Sequence, residues 1–115
     1  MTYNQMKAKI QTAGTWFTGA FMEEILHNYS RINNDSARTS EFIKYMHEEY
    51  GKNLDYKFDT TKTKCYAVLS IIREGCVLDA LEYVIERNDK KVDAGAKENA
   101  VALLNKIIAN EIVLP

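Results

Sequence analysis

The chain has 115 residues, the usual size of one domain, and a domain of that length buries roughly two-thirds of the surface its unfolded chain exposes. Apolar residues at 46% and charged residues at 27% exclude the disordered, collagenous and disulfide-scaffold classes. Basic and acidic side chains, 15 against 16, leave a net charge of −1, so no overall field draws the protein toward nucleic acid or anionic lipid. The expectation is one all-α domain over 1–115, a bundle of about four main helices near 3–30, 40–50, 61–86 and 94–110. The only proline is Pro115, so nothing before it breaks a helix outright.

The first helix starts at a capping box, with Thr2 as cap and Gln5 three residues on. Tyr3, Met6, Ile10, Ala13, Phe17, Ala20 and Phe21 form one apolar stripe at helical spacing. Met22, Ile25 and Tyr29 lie about 100° further round, so the buried face drifts or the helix bends. Gly14 and Gly19 together cost a helix on the order of 2 kcal/mol relative to alanine, which close packing or a kink must offset.

"NNDSARTS" (33–40) reads as a turn, because Asn, Asp and Ser offer the backbone local hydrogen bonds that compete with helix. Thr39 or Ser40 then caps the second helix, which buries Phe42, Ile43, Met46 and Tyr50 and ends at Gly51 as the left-handed residue past the terminus. "LDYKF" (54–58) alternates like a strand, and a short β-hairpin-like segment near 54–68 is the alternative to helix there. Helix is favoured because Val68, Leu69, Ile72, Cys76, Leu81, Val84 and Ile85 continue at a 3.6-residue period. This third helix is apolar on most sides, which places it mid-bundle, with a kink expected at Gly75. Asp93 is the expected cap of the fourth helix, whose buried face takes Leu103, Leu104, Ile107 and Ile108 with Val101, and "EIVLP" is a tail that docks on the bundle.

No apolar stretch after Lys7 and Lys9 has the form of a signal peptide, and the densest apolar run, 65–85, is interrupted by Arg73, Glu74, Asp79 and Glu82, so a cytoplasmic protein without a membrane span is expected. Cys65 and Cys76 on one helix would stand about 16 Å apart along its axis, beyond disulfide reach. They read as two reduced core cysteines.

Three sites compete. Glu24 and His27 have the Glu-x-x-His spacing of one half of a di-iron carboxylate bundle, but His47 has Lys44 three residues before it, so the second half is missing unless a dimer repeats the first. The simpler reading is a polar flank on which His27, one turn from Glu23, pairs with a carboxylate, and no metal or other cofactor is expected. Lys62, Lys64 and Arg73 suit a nucleic-acid contact if 39–73 forms a helix-turn-helix-like unit, although the connection is long for that motif. Trp16 and Tyr29 lie off the main stripe and are candidate protein-contact residues. No nucleophile elbow, phosphate loop or dinucleotide fingerprint occurs, and both cysteines sit in apolar surroundings where a thiol stays inert. The expected function is therefore non-enzymatic: a small adaptor, subunit or inhibitor working through a protein partner or self-association, with nucleic-acid binding as the alternative.

Overall fold

A computed structural model describes residues 1–87 and 94–115. Six α-helices are present among them: α1 (Tyr3–Ala13), α2 (Thr15–Ile32), α3 (Ser36–Met46), α4 (Phe58–Arg73), α5 (Val77–Glu86) and α6 (Ala94–Ile108), with a π-turn at His47–Gly51 after α3. The all-α class holds, but the four expected helices become six, because two glycines break the helices in which they lie. Gly14 takes φ +90 and Gly75 takes φ +72, conformations an L side chain rarely adopts. At Gly75 the break is a Schellman cap: Gly75 N–H donates to Ile72 O and Cys76 N–H to Ile71 O. Among the described residues no strand forms, so the hairpin alternative near 54–68 is wrong. Asp55, at φ 60, instead closes a turn in which its N–H reaches Lys52 O and that of Tyr56 reaches Gly51 O.

The helix starts differ from expectation where a side chain decides them. Thr2 and Gln5 make the capping box as expected, at 3.2 and 2.8 Å. The cap of α3 is Asp35 rather than Thr39 or Ser40, its carboxylate accepting from Arg38 N–H at 3.0 Å. Residues 36–40, turn-like by composition, thus become the first turns of helix. Thr39 is buried and its hydroxyl bonds Ile32 O and Asp35 O, tying the end of α2 to the start of α3. Gly51 is not a left-handed cap. It is buried in the π-turn, where a Cβ would collide with Thr61 Oγ1 and His47 Nδ1, two atoms that hydrogen-bond each other at 2.8 Å. Asp93 lies outside the described residues.

The centre of the bundle is α2, not the expected 61–86 helix: α2 packs against every other helix. Its buried residues Phe17, Thr18, Phe21, Met22, Ile25, Leu26, Tyr29 and Ile32 cover about half its circumference. The drift in the apolar stripe is therefore real, and its cause is the breadth of the buried face of α2, which carries both Phe17 and Phe21 and Met22, Ile25 and Tyr29 because helices pack around it on several sides. Tyr3, assigned to the stripe, is left 57% exposed. Gly19 has the compensation its helix cost requires: a Cβ there would stand 2.9 Å from Ala96 O and from Val84 Cγ1, so the missing side chain lets α5 and α6 close on α2. Met6, Ile10 and Ala13 bury α1, which packs chiefly on α4. Beyond α6, Asn110 at φ 60 caps the helix with Glu111 N–H on Lys106 O, and Ile112 and Leu114 dock half-buried on the core, as the tail was expected to do. No helix among the described residues is long and apolar enough to cross a membrane.

Candidate functional site

The outward edge of α2 carries Trp16, Ala20, Glu23, Glu24 and His27 within three turns. Opposite it stand Asn99, Ala102 and Lys106 of α6, with Tyr50 of the π-turn closing the side. Together they enclose a cleft of about 520 Å³ whose floor is aromatic and whose rim is charged. The floor belongs to a continuous ring ladder. Trp16 meets Phe21 edge-on at 5.7 Å, Phe21 lies 4.8 Å from Tyr50, and Tyr50 stands edge-on to Tyr45 at 6.3 Å. Such edge and tilted pairs are the favourable arrangements for rings with negative faces and positive edges.

Glu24 and His27 turn to different partners. Tyr45 Oη donates to Glu24 Oε1 at 2.7 Å and Tyr50 Oη stands 3.5 Å from the same oxygen, so this carboxylate anchors α3 and the π-turn to α2. The accepted hydrogen bond holds the Tyr45 hydroxyl well above the ordinary phenol value, with the neighbouring Tyr50 and burial adding to the shift. His27 Nε2 lies 3.6 Å from Glu23 Oε2, the pairing expected of a polar flank, and Lys106 Nζ reaches both oxygens of Glu23 at 3.0 and 3.2 Å. Glu23 is thus the electrostatic hub of the cleft. Among the described residues no group of three or more His, Cys, Asp or Glu side chains comes together to hold a metal ion.

Of the two aromatic candidates, Trp16 is half-buried on the cleft wall, whereas Tyr29 is 7% exposed and counts with the core. Its edge lines a second cavity of about 430 Å³, between α2 and the tail, with Leu26, Ile112 and Leu114. The two cavities share Glu23 and His27 on their linings and so adjoin each other along α2.

The basic candidates do not act as one row. Lys64 turns inward: its Nζ donates to Ala13 O at 2.8 Å and lies 5.8 and 5.3 Å from the ring centres of Phe17 and Tyr56. This ammonium occupies the C-terminal end of α1, where free carbonyls and the helix dipole favour a cation. Burial draws Lys64 below the ordinary lysine value. The carbonyl and the two ring faces favour the ammonium form and act the other way. Lys62 and Arg73 are exposed on α4, about 16 Å apart along its axis. The helix that follows α4 after a three-residue turn, α5, exposes Asp79, Glu82 and Glu86, a face that phosphates repel. Cys65 is buried and Cys76 half-buried, both free, and burial pushes the Cys65 thiol up to about 12, far from a nucleophile's range.

Tyr50, Asn99, Ala102 and Lys106 were not legible as site residues, since Lys106 meets Glu23 across 83 positions of sequence. The tyrosine-rich stretch 45–56 was the one usable signal. Comparison with protein-family models, with curated proteins and with solved structures finds no match.

Proposed function

We propose that this protein acts without catalysis, through protein–protein contact, as an adaptor, subunit or inhibitor of a larger assembly, and that the α2–α6 cleft is its contact surface. The observation that supports this most is the position of Trp16: a half-buried indole on the wall of a cleft of about 520 Å³, backed by Phe21 and Tyr50 and rimmed by Glu23, Glu24, His27 and Lys106. An aromatic anchor at the edge of a pre-formed hollow, with charges around it, has the composition of an interface hot spot and its rim. The rings lose little conformational freedom on binding because the ladder already orders them.

A photo-reactive residue at Ala102, inside the cleft, tests the reading. It should crosslink to one defined protein species, and Trp16→Ala should weaken that association at least tenfold, the loss expected for a hot-spot aromatic. Light scattering after size exclusion distinguishes a second copy of the chain from a foreign partner. A monomer at every concentration that yields no crosslink from Ala102 in cells would refute the proposal.

A further inference from the structure

The helices α1 and α4 pack side by side along their lengths. Together they hold five basic side chains and one acidic one, a net +4 in a chain whose total is −1, so everything else carries −5. With Lys64 committed to the end of α1, and Lys7 on the opposite flank of α1 from Lys9, the pair still presents Lys9, Lys62 and Arg73 against Asp59. In sequence the two halves of this patch lie some fifty positions apart, each only mildly basic. The fold joins them.

The apolar surface is sorted as well. The large hydrophobic side chains exposed on α1 and α4 are all aromatic, Tyr3, Phe58 and Tyr66, whereas those on α5, α6 and the tail are aliphatic, Leu78, Val101, Ile108 and Val113. Tyr66, 42% exposed, stands on the wall of a hollow of about 440 Å³ between the two helices, with Lys9 and Thr12 on the α1 side, Lys62, Thr63 and Ser70 on the α4 side, and Asp59 also on its lining. Lys7 holds its ammonium 5.7 Å from the ring centre of Tyr3.

We propose that the α1–α4 face binds single-stranded nucleic acid, with phosphates paired to Lys9 and Lys62 and a base stacked on Tyr66. Positive charge that follows a groove, flat rings beside it and hydroxyls able to donate to phosphate oxygens are the elements of sequence-tolerant single-strand binding. A lipid surface would call for exposed aliphatic side chains among the lysines, and α1 and α4 have none among their large exposed residues. Duplex DNA would leave the rings without a base face to cover. Asp59 is the one acidic group on the patch and works against the ligand.

Fluorescence anisotropy of a labelled oligothymidylate with the full chain tests the proposal. Binding should weaken with salt, log K falling against log salt with a slope of about −2 for three neutralised phosphates. The Lys9→Glu, Lys62→Glu double variant should bind at least tenfold more weakly, and Tyr66→Ala about tenfold more weakly through loss of one stacked base. Asp59→Asn should bind more tightly, a gain that a damaged fold cannot produce. Trp16→Ala, in the separate α2–α6 cleft, should bind the oligonucleotide unchanged. Absence of binding at low salt, or affinity indifferent to the double reversal, would overturn the proposal. So would capture by poly-glutamate or by anionic vesicles as tight as by the oligonucleotide, since neither offers a base to stack.

Discussion

Single residues decide where this chain bends and how closely its helices approach, and two glycines show the two effects. Around Gly75 nothing stands within 4 Å of the point a Cβ would occupy, so only its φ of +72 resists a side chain. Gly75→Ala should therefore cost about 1–2 kcal/mol, the left-handed penalty, and Gly75→Asn should recover much of that, because asparagine tolerates the conformation. Gly19 is helical, and alanine there gains about 1 kcal/mol of propensity but drives a methyl against the Ala96 carbonyl and Val84. Overpacking of that kind costs about 1–3 kcal/mol, so Gly19→Ala should be neutral to destabilising by about 2 kcal/mol. Its signature is faster amide exchange in α6. Urea melts of the three variants with exchange on Gly19→Ala check both accounts. Both glycines were visible as anomalies in the sequence. Which was a break and which a close approach depended on what stood opposite them.

Among the elements, α1 has little of its own to hold it. It has eleven residues, too few to be stable alone, and buries only Met6, Ile10 and Ala13. Lys64 supplies the missing tie from α4 by capping α1 with its ammonium, which also stands over the rings of Phe17 and Tyr56. A hydrogen bond from a charged donor contributes about 1.5–3 kcal/mol net, so Lys64→Met, which keeps the apolar stem, should lose about 2 kcal/mol. The loss should appear first as faster amide exchange in α1 with α5 protected as before. Equal loss of protection in both helices would show that Lys64 supports the whole core and not the α1 junction. The same tie explains why Lys64 misleads as a phosphate contact: a lysine in "TTKTK" looks solvent-facing until the carbonyl of Ala13, 51 residues earlier, is placed beside it.

At the scale of the whole molecule the buried thiol of Cys65 couples stability to alkaline pH. Its folded value of about 12 lies above its ordinary value of 9.0, so between these limits the folded chain keeps a proton that the unfolded chain has lost. Stability is then full below pH 9 and falls as pH rises through 12, by at most about 4 kcal/mol at 1.36 kcal/mol per unit. Cys65→Val, similar in volume and without a titrating group, should flatten the decline. A residual slope above pH 10 should remain from Tyr45, raised chiefly by its hydrogen bond to Glu24, and from Tyr56, raised by burial. Lys64, drawn below 10.5, acts with the opposite sign, since the unfolded chain there binds the extra proton and stability rises with pH just below that value. Urea titrations across pH 8 to 11 on both proteins check the sign, and an unchanged slope in Cys65→Val would remove the thiol as its cause.

Local pattern determined what local physics controls: the all-α class, the capping box at Thr2 and Gln5, the buried residues of α1, and the pairing of His27 with Glu23 one turn away. These follow from helical periodicity and from groups within one turn of each other, which any helix brings together. The same pattern misread α6, where Val101 and Ile108, expected on the buried face, are exposed and Ala96 and Ala100 join Leu103 in meeting the core. Tertiary structure alone decided the rest. It split two long periodic segments at glycines, gave α2 the central place, turned Lys64 inward, set Lys106 on Glu23, and laid two mildly basic segments together as one face. The physical reason is the same in each case: a contact between distant positions leaves no periodicity in the sequence, and which side of a helix is buried first depends on the helices packed around it.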